Sequence, residues 1–179
     1  MRVVAGEARG RKLRAPRGDK IRPTSDRVKE ALFNILACKV PQSIFLDLYA
    51  GTGGIGIEAL SRGCHEAFFV EKDPVAVDCI KRNLELTKLN DRAEIISMEV
   101  RRALGYLSVR SKRFDIIFLD PPYFSEPVKK EILSAGELLN EGGLLVLESN
   151  KNRFTEKIIG DLALTREEYY GDTKLSFYE

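Results

Sequence analysis

The chain has 179 residues, of which 44% are hydrophobic and 31% are charged, and its formal net charge is +2. This length and composition predict one globular domain with room for a small appendage, and leave no need for a second large domain. No stretch approaches the roughly 20 apolar residues of a membrane span, and the first residues lack the apolar core of a signal peptide, so we expect a cytoplasmic protein.

The cysteines and the single histidine do not indicate a disulfide framework, a metal site or a catalytic base. Cys38, Cys64 and Cys79 are odd in number and lack paired metal-type spacing, which argues against a disulfide framework or a zinc site. We therefore expect reduced thiols and no bound metal. His65 follows Gly63, where a helix should end, and this position is more typical of a surface or capping residue than of a catalytic base.

Charge is concentrated at the start of the chain. Residues 1–30 contain ten Lys or Arg and four Asp or Glu, a net charge of +6, whereas the remainder carries −4. A basic segment beside a mildly acidic body indicates a polyanion held at one end, because Lys and Arg contacts to phosphate supply sequence-independent affinity. A solvated, mobile tail is the alternative.

The first forty residues predict two elements. Residues 1–23 should form a short extended or hairpin segment, because glycines and prolines break any helix there. From Thr24 or Ser25 as N-cap, a helix should run to about Ala37, since its apolar residues recur at helical spacing. One face of this helix is apolar and should dock on the body of the protein.

Beyond Pro41, five apolar strands alternate with helices. The strands are predicted at residues 44–48, 67–70, 94–97, 114–119 and 144–148, the last after a Gly142-Gly143 turn. The second helix should span 54–62, the third should be capped by Asp73, and the last should start near Glu126. This alternation predicts a parallel sheet with helices on both faces and binding sites at the carboxyl ends of the strands.

The end of the chain departs from this alternation. Residues 162–170 and 174–178 flank Gly171-Asp172-Thr173, which is a hairpin signal. The last two strands should therefore pair antiparallel at one edge. The complete prediction is an α/β, Rossmann-like fold with a mostly parallel seven-stranded sheet, a C-terminal antiparallel hairpin and a small basic N-terminal extension.

A glycine-rich loop lies between the first strand and its helix. Gly51-x-Gly53-x-x-Gly56 matches the dinucleotide fingerprint, and Glu71 lies 20 residues after Gly51, where a ribose-binding acid belongs. A nicotinamide oxidoreductase is therefore a competing hypothesis. Asp47 favours S-adenosylmethionine instead, because a carboxylate at the end of the strand would repel a pyrophosphate but attract a cationic amino group.

Acidic residues also follow the second and third strands. Glu71 is placed to accept hydrogen bonds from both ribose hydroxyls, and a solvated strand-end acid is its alternative. Met98 could contact the face of the adenine, and Glu99 could accept a hydrogen bond from its amino group. Alternatively, Glu99 could simply lie at the start of the next helix. The remaining predicted cofactor contacts lie in the same loops: Tyr49, Ala50, Gly51, Thr52, Gly53, Gly56 and Lys72.

Asp120-Pro121-Pro122-Tyr123 follows the fourth strand and suits a flat base that bears an amino group. The two prolines fix φ and supply no N–H, so the turn presents carbonyl acceptors beside the Asp120 carboxylate. Tyr123 can stack on the ring, a contact worth about 1–3 kcal/mol per base. A hydride-transfer enzyme has no evident use for such a turn. The alternative is a rigid strand-end turn with Tyr123 as a rim aromatic.

Together these motifs resemble the class I, Rossmann-like S-adenosylmethionine-dependent methyltransferases, and more closely the bacterial 16S rRNA guanine-N2 methyltransferase family, which modifies guanine 966. The glycine loop is generic, and the Asp-Pro-Pro-Tyr turn is shared with DNA amino-methyltransferases. The segment from Arg22 to Asn34 narrows the resemblance, which covers nearly the whole chain. Its other specific parts are residues 2–6, 9–13 and 170–173.

The resemblance implies a role for each motif. Asp47 and the 51–56 loop would hold the methionine part of the cofactor, Glu71 the ribose and Glu99 the adenine, where family members often carry Asp. Residues 120–123 would hold the target guanine. Residues 1–40 would form an extension that contacts 16S rRNA or a small-subunit assembly intermediate, beside a methyltransferase domain at 41–179. The implied RNA contacts are Arg2, Arg9, Arg11, Lys12, Arg14 and Arg22.

The turn itself does not separate guanine N2 from adenine N6, since both are amino groups on flat heterocycles. The choice of guanine follows from the resemblance alone. A DNA, other nucleic-acid or protein amino-methyltransferase is therefore the second hypothesis, and a nicotinamide oxidoreductase is the third. We expect a monomer without a metal or a membrane partner.

Overall fold

The computed structural model describes residues 1–15, 25–122 and 128–179. Arg22 and Tyr123 lie outside these ranges, as does the predicted helix start near Glu126. The helices are α1 Asp26–Ile35, α2 Gly54–Ser61, α3 Pro74–Thr87, α4 Val100–Val109 and α5 Val128–Gly136, with a 3-10 turn at Asn90–Arg92. The strands are β1 Ile44–Leu48, β2 Glu66–Val70, β3 Ala93–Ile96, β4 Phe114–Leu119, β5 Leu139–Asn150, β6 Ile158–Ile159, β7 Leu162–Tyr170 and β8 Thr173–Tyr178.

The strands form one sheet in the order β3-β2-β1-β4-β5-β8-β7-β6. Strands β1 to β5 pair in parallel, whereas β8 runs antiparallel to both β5 and β7. The mostly parallel sheet with an antiparallel C-terminal hairpin is thus confirmed. The predicted strand number is one too small, because β6, with only two residues, pairs with the start of β7 and is too short to show a periodic pattern.

The helix caps follow the sequence signals. Ser25 caps α1 by accepting a hydrogen bond from the Val28 N–H, and Asp73 caps α3 by accepting one from the Val75 N–H. Helix α2 ends at Ser61 with Arg62 as its C-cap residue, so Gly63, the predicted cap, stands one position beyond the observed one, with a φ of +95°.

The glycine pair before the predicted fifth strand forms no turn. Strand β5 begins at Leu139, and its register against β4 shifts between Phe114 and Ile116. Gly142 has a φ of +72°, and a Cβ on Gly143 would lie 2.8 Å from the Asn140 carbonyl oxygen. The two glycines therefore allow an irregularity inside a longer strand, and the sequence prediction of a separating turn was wrong.

Two apolar layers cover the two faces of the sheet. Because side chains alternate along a strand, Phe45 and Phe118 face one layer, with residues of α1, α2 and α3. Leu46 and Ile117 face the other layer, with residues of α4 and α5. No helix among the described residues is long and apolar enough to cross a membrane.

The N-terminal residues are part of the first layer. Val3, Ala8 and Leu13 are buried in the same cluster as α1 and β1. The Val3 N–H donates to the Arg11 carbonyl at 3.0 Å, so residues 1–13 fold back on themselves as predicted. We call residues 1–15 the basic segment. Its apolar side chains hold it against the body of the protein.

Candidate active site

The carboxyl ends of β1 and β4 lie side by side. Leu48 pairs with Leu119 in the parallel ladder, and the Asp120 N–H donates to the Leu48 carbonyl at 3.4 Å. The glycine loop and the Asp-Pro-Pro turn therefore leave the same edge of the sheet at neighbouring positions, as the sequence analysis requires.

The strand order sets out the predicted contacts along this edge. Neighbouring strands β3, β2, β1 and β4 are followed in turn by Glu99, Glu71, the glycine loop and Asp120. This is the order of adenine, ribose, methionine and target base that the predicted roles demand.

Three carboxylates share one face of the sheet at this edge. Asp47 pairs with Phe118, and Asp120 and Glu148 directly follow the paired residues Leu119 and Leu147. The alternation of side chains puts all three acids on the face of Phe118. Asp47 is 2% exposed and Glu148 is 6% exposed. Sequence reasoning missed Glu148, although the available signal, an acid that ends an apolar strand, is the one that identified Asp47.

Asp47 holds the glycine loop in place. Its Oδ2 accepts a hydrogen bond from the Gly56 N–H at 2.9 Å, at the start of α2. Burial, helped by the nearby Glu71 and Glu148 carboxylates, raises the pKa of Asp47 to about 7 against the effect of this hydrogen bond. A buried carboxyl group with a raised pKa favours a cationic ligand, because a nearby positive charge stabilises its ionised form.

The carboxyl group of Asp120, like that of Asp47, has a raised pKa. Burial raises the pKa of its carboxyl well above the ordinary value, and the Glu148 and Asp47 carboxylates add to the shift. Pro121 is buried and Pro122 exposed, so the turn starts inside the molecule and emerges at the surface. This end of the sheet therefore favours a positive charge.

Glu71 links two loops. Its Oε2 accepts from the Gly51 N–H at 2.9 Å, and its Oε1 accepts from the N–H groups of Lys72 and Asp73 at 2.8 and 2.9 Å. Three of the about four lone-pair sites of the carboxylate are thus occupied, and the remaining acceptor position, on Oε2, is open to a ribose hydroxyl. The Lys72 side chain is exposed.

The glycines of the loop have different tasks. Gly51 and Gly53 have φ values of 55° and 78°, in the left-handed region that glycine adopts without strain. A Cβ on Gly56 would lie 2.3 Å from the Phe69 ring, so this position is small because α2 packs closely on β2. For Gly56 the absence of a side chain is explained by close packing of the helix on the strand.

The other loop residues face inward. The Ala50 N–H donates to the Val70 carbonyl at 3.0 Å, and Thr52 is 4% exposed. The Tyr49 hydroxyl donates to Glu131 on α5 at 2.8 Å, and burial raises its pKa. Tyr49 thus connects the end of β1 to α5, the helix that follows the Asp120-Pro121-Pro122-Tyr123 turn in the chain. We call this turn the acceptor turn.

Met98 and Glu99 end the row of predicted contacts. Met98 is half-buried against the second apolar layer. Glu99 is exposed and is the N-cap residue of α4, but its side chain makes no capping hydrogen bond. Glu99 thus lies at the start of the next helix, as one of the two predictions has it, but its carboxylate does not cap that helix.

The described basic residues of the basic segment are exposed. Arg2 pairs with Asp26 at 3.8 Å, and Arg11 donates to the Leu86 carbonyl at 2.8 Å.

His65 and Cys38 are also exposed, whereas Cys64 and Cys79 are buried free thiols. The described ranges contain no cluster of His, Cys, Asp or Glu suited to a metal ion.

Comparison with known proteins gives the chain its family. A family model described as conserved hypothetical protein 95 matches residues 1–179. The protein YlbH of Bacillus subtilis is 39% identical over 181 residues, covering 100% of this chain and 98% of that relative. The ribosomal RNA small subunit methyltransferase D of Haemophilus influenzae is 37% identical over 158 residues, covering 86% of this chain and 80% of that relative.

A solved structure agrees over the whole fold. A hypothetical protein from Thermus thermophilus superposes with a TM-score of 0.87 at 34% identity, covering 99% of this chain and 98% of that chain. The expected class I methyltransferase fold is confirmed. The chain therefore belongs to the conserved hypothetical protein 95 family, and it is similar in sequence to proteins named ribosomal RNA small subunit methyltransferase D.

Proposed function

We propose that this protein transfers a methyl group from S-adenosylmethionine to the exocyclic N2 amino group of a guanine in 16S rRNA, at guanine 966. The observation that carries the proposal is the order of groups along the sheet edge. The predicted acceptors for adenine, ribose and methionine, and then the Asp-Pro-Pro turn, follow the neighbouring strands β3, β2, β1 and β4.

The charges at this edge support a cationic methyl donor. S-adenosylmethionine carries a sulfonium and an ammonium group, and the buried carboxyls of Asp47 and Asp120 both have raised pKa values that a nearby cation would lower. A dinucleotide would bring a negatively charged pyrophosphate to the same loop. Electrostatics therefore favour the sulfonium compound over NAD.

The transfer needs a positioned nucleophile and no metal. S-adenosylmethionine supplies an electrophilic methyl group, so the chain must hold the amino nitrogen in line at about 3–3.5 Å from that carbon. As the N–C bond forms, the S–C bond of the donor breaks and the nitrogen loses one proton. The Asp120 carboxylate and the Pro121 carbonyl can each accept a hydrogen bond from the amino group. These bonds orient the nitrogen and stabilise the positive charge that develops there.

The base must be reachable for this geometry to form. A guanine within a helix hides its N2 in the stack, so the target has to be unpaired or extruded. Tyr123 would replace the lost stacking. The exposed cations Arg2, Arg9 and Lys12 would hold the surrounding phosphates.

The relatives support rRNA as the substrate class. Proteins of 31% and 37% identity carry the name ribosomal RNA small subunit methyltransferase D. The amino group on guanine rather than adenine rests on the resemblance of residues 22–34 to the guanine-N2 family.

The test is methylation of rRNA from cells that lack this protein. Purified enzyme is incubated with radiolabelled S-adenosylmethionine and either protein-free 16S rRNA or isolated small subunits, and the labelled nucleotide is mapped. We expect N2-methylguanosine at position 966. Label in N6-methyladenosine or in DNA would replace the proposal by the adenine alternative. Thermal stabilisation by NAD but not by S-adenosylhomocysteine would exclude methyl transfer altogether.

A further inference from the structure

We propose that Asn83, on α3, is a positioning residue that holds the basic segment and the glycine loop in one arrangement, so that RNA binding and cofactor binding strengthen each other. The inference rests on the proposed function, because it joins the surface assigned to RNA with the loop assigned to S-adenosylmethionine.

Asn83 contacts both parts with one side chain. Its Nδ2 donates to the Thr52 carbonyl at 2.9 Å and to the Arg14 carbonyl at 3.0 Å. Its Oδ1 accepts from the Arg14 N–H at 2.7 Å. The residue is fully buried, at 0% exposure. A buried amide is costly unless its donors and acceptor are used, and here both donors and the acceptor are used.

The partners of Asn83 belong to the two predicted binding surfaces. Thr52 lies between Gly51, whose N–H donates to Glu71, and Gly53, which precedes α2. Arg14 follows the hairpin-like part of the basic segment, and its side chain is exposed. A displacement of the Arg14 backbone would therefore be transmitted to the Thr52 carbonyl and to the loop that faces the methionine part.

Other contacts tie the basic segment to the same loop and helix. The Met1 sulfur lies 4.0 Å from the Thr52 Oγ1. Glu58, on α2, accepts from the N–H groups of Val4 and Ala5 at 2.8 and 2.9 Å. These contacts keep the segment docked when Asn83 is changed, so that the link through Asn83 can be removed without detaching the whole segment.

The coupling follows from linkage. If phosphate contacts favour the arrangement in which Asn83 is fully bonded, and the cofactor binds the same arrangement better, each ligand raises the affinity of the other by the same factor. Without the Asn83 link, the contacts of Met1 and Glu58 still hold the first residues of the segment, but the Arg14 backbone and the Thr52 carbonyl can move separately. The factor then approaches one.

The experiment measures this factor directly. The dissociation constant of S-adenosylhomocysteine is determined by calorimetry with the full-length protein, alone and saturated with protein-free 16S rRNA. In the wild type we expect rRNA to tighten the binding about fivefold or more, within the usual range for linked sites. In Asn83→Ala and Asn83→Asp the ratio should fall to about one, since neither side chain donates to the Thr52 carbonyl.

Thr87→Val is the matched control. The Thr87 hydroxyl is buried on the same helix, and its hydrogen bonds within the described ranges go to carbonyls of α3, those of Asn83 at 2.8 Å and Leu84 at 3.1 Å. This variant loses a buried polar contact of α3 and should keep the wild-type ratio. Equal loss of the ratio in Thr87→Val would reduce Asn83 to an ordinary structural residue and overturn the proposal.

The remaining outcomes separate the two proposals. A wild-type ratio that persists in both Asn83 variants overturns the positioning role, as does a wild type that binds each ligand with a ratio of one. A wild type that shows the coupling and transfers no methyl group to rRNA supports the positioning role and overturns the proposed function. A wild type that binds neither ligand overturns both.

Discussion

At the scale of single residues, Asp120 is held where its charge is disfavoured. Burial, Glu148 and Asp47, in that order, raise the pKa of its carboxyl. Positive charge that develops on an amino nitrogen beside it would reverse this effect. In the proposed reaction, the electrostatic cost of burying this carboxylate would be relieved most in the transition state, which is the requirement for catalysis by electrostatic stabilisation.

Replacement of Asp120 by Asn tests that argument. Asn keeps the size and one acceptor oxygen but removes the charge, so we expect methyl transfer to fall by about 10²–10³-fold. Binding of S-adenosylhomocysteine should survive. Asp78→Asn is the control, because Asp78 is 58% exposed and pairs with Arg82 across one helical turn of α3. Initial rates with 16S rRNA provide the measurement, and a normal rate in the Asp120 variant would refute its role.

Asp47 predicts a pH dependence of stability. Its pKa is 3.8 in an unfolded chain and about 7 in the fold, so the folded state alone keeps the proton between these values. Stability of the ligand-free protein should therefore fall as pH rises from 4 to 7 and level off above, by up to about 4 kcal/mol from this group.

The measurement is the melting temperature of wild type and Asp47→Asn across this pH range. Asn carries no proton that titrates, so the variant should show a shallower fall. Asp120, whose pKa is also raised, keeps part of the slope in both proteins. Identical slopes would mean that Asp47 titrates normally in the fold.

Sequence reasoning finds a residue of the site when a local pattern marks it. Asp47, Glu71 and Asp120 stand at the ends of apolar runs and beside a recognisable motif. Glu148 stands at the end of such a run as well, but no motif adjoins it. Its position beside Asp120 comes from the register of β4 against β5, a long-range pairing that no local pattern contains.

At the scale of elements, strand periodicity predicts strands well and their irregularities poorly. The bounds of β1, β4 and β7 are those predicted, because each is a run of apolar or alternating residues closed by a clear breaker. Strand β5 extends through two glycines that read as a turn. A glycine can mark either a turn or an irregularity inside a strand, and only the neighbouring strand decides between them.

Helix α2 offers a test of why its glycines are present. Gly56→Ala should destabilise the fold, because the new Cβ would meet the Phe69 ring at 2.3 Å, and overpacking of this kind costs about 1–3 kcal/mol. Phe69→Leu in the same chain should recover part of the loss. Gly105→Ala is the control, since nothing lies within 4 Å of its added Cβ.

Urea unfolding of the four proteins gives the comparison. Gly105→Ala should be neutral or more stable by about 0.5–1 kcal/mol, as expected for a glycine inside a helix. If Gly56→Ala is as stable as Gly105→Ala, close packing does not explain the third glycine of the loop.

At the scale of the whole molecule, the basic segment is both a charged surface and part of the core. Lys29 and Glu58 are each 0% exposed, and their charged groups lie 3.6 Å apart beneath it. The Lys29 ammonium also donates to the Arg2 carbonyl. Composition predicts the excess of positive charge at this end of the chain. It could not predict the docking, which comes from contacts between distant parts of the chain, among them the buried acid Glu58 of α2 with two backbone N–H groups of the segment.

The docking makes the electrostatic prediction sharper. A mobile tail and a fixed surface can bind the same number of phosphates, but only a fixed surface places them at a set distance from the acceptor turn. Replacement of Arg9, Arg11 and Lys12 by Ala should weaken binding of 16S rRNA most at low salt. The slope of log affinity against log salt should become shallower by about 0.7–0.9 for each phosphate that the variant no longer binds.

The matched control for this variant removes three exposed, ion-paired cations elsewhere on the molecule: Lys129, Lys151 and Arg166. Both variants lose the same formal charge, so a slope that changes equally in the two would assign rRNA binding to net charge. A change confined to the first variant would assign it to the basic segment, which Asn83 joins to the glycine loop.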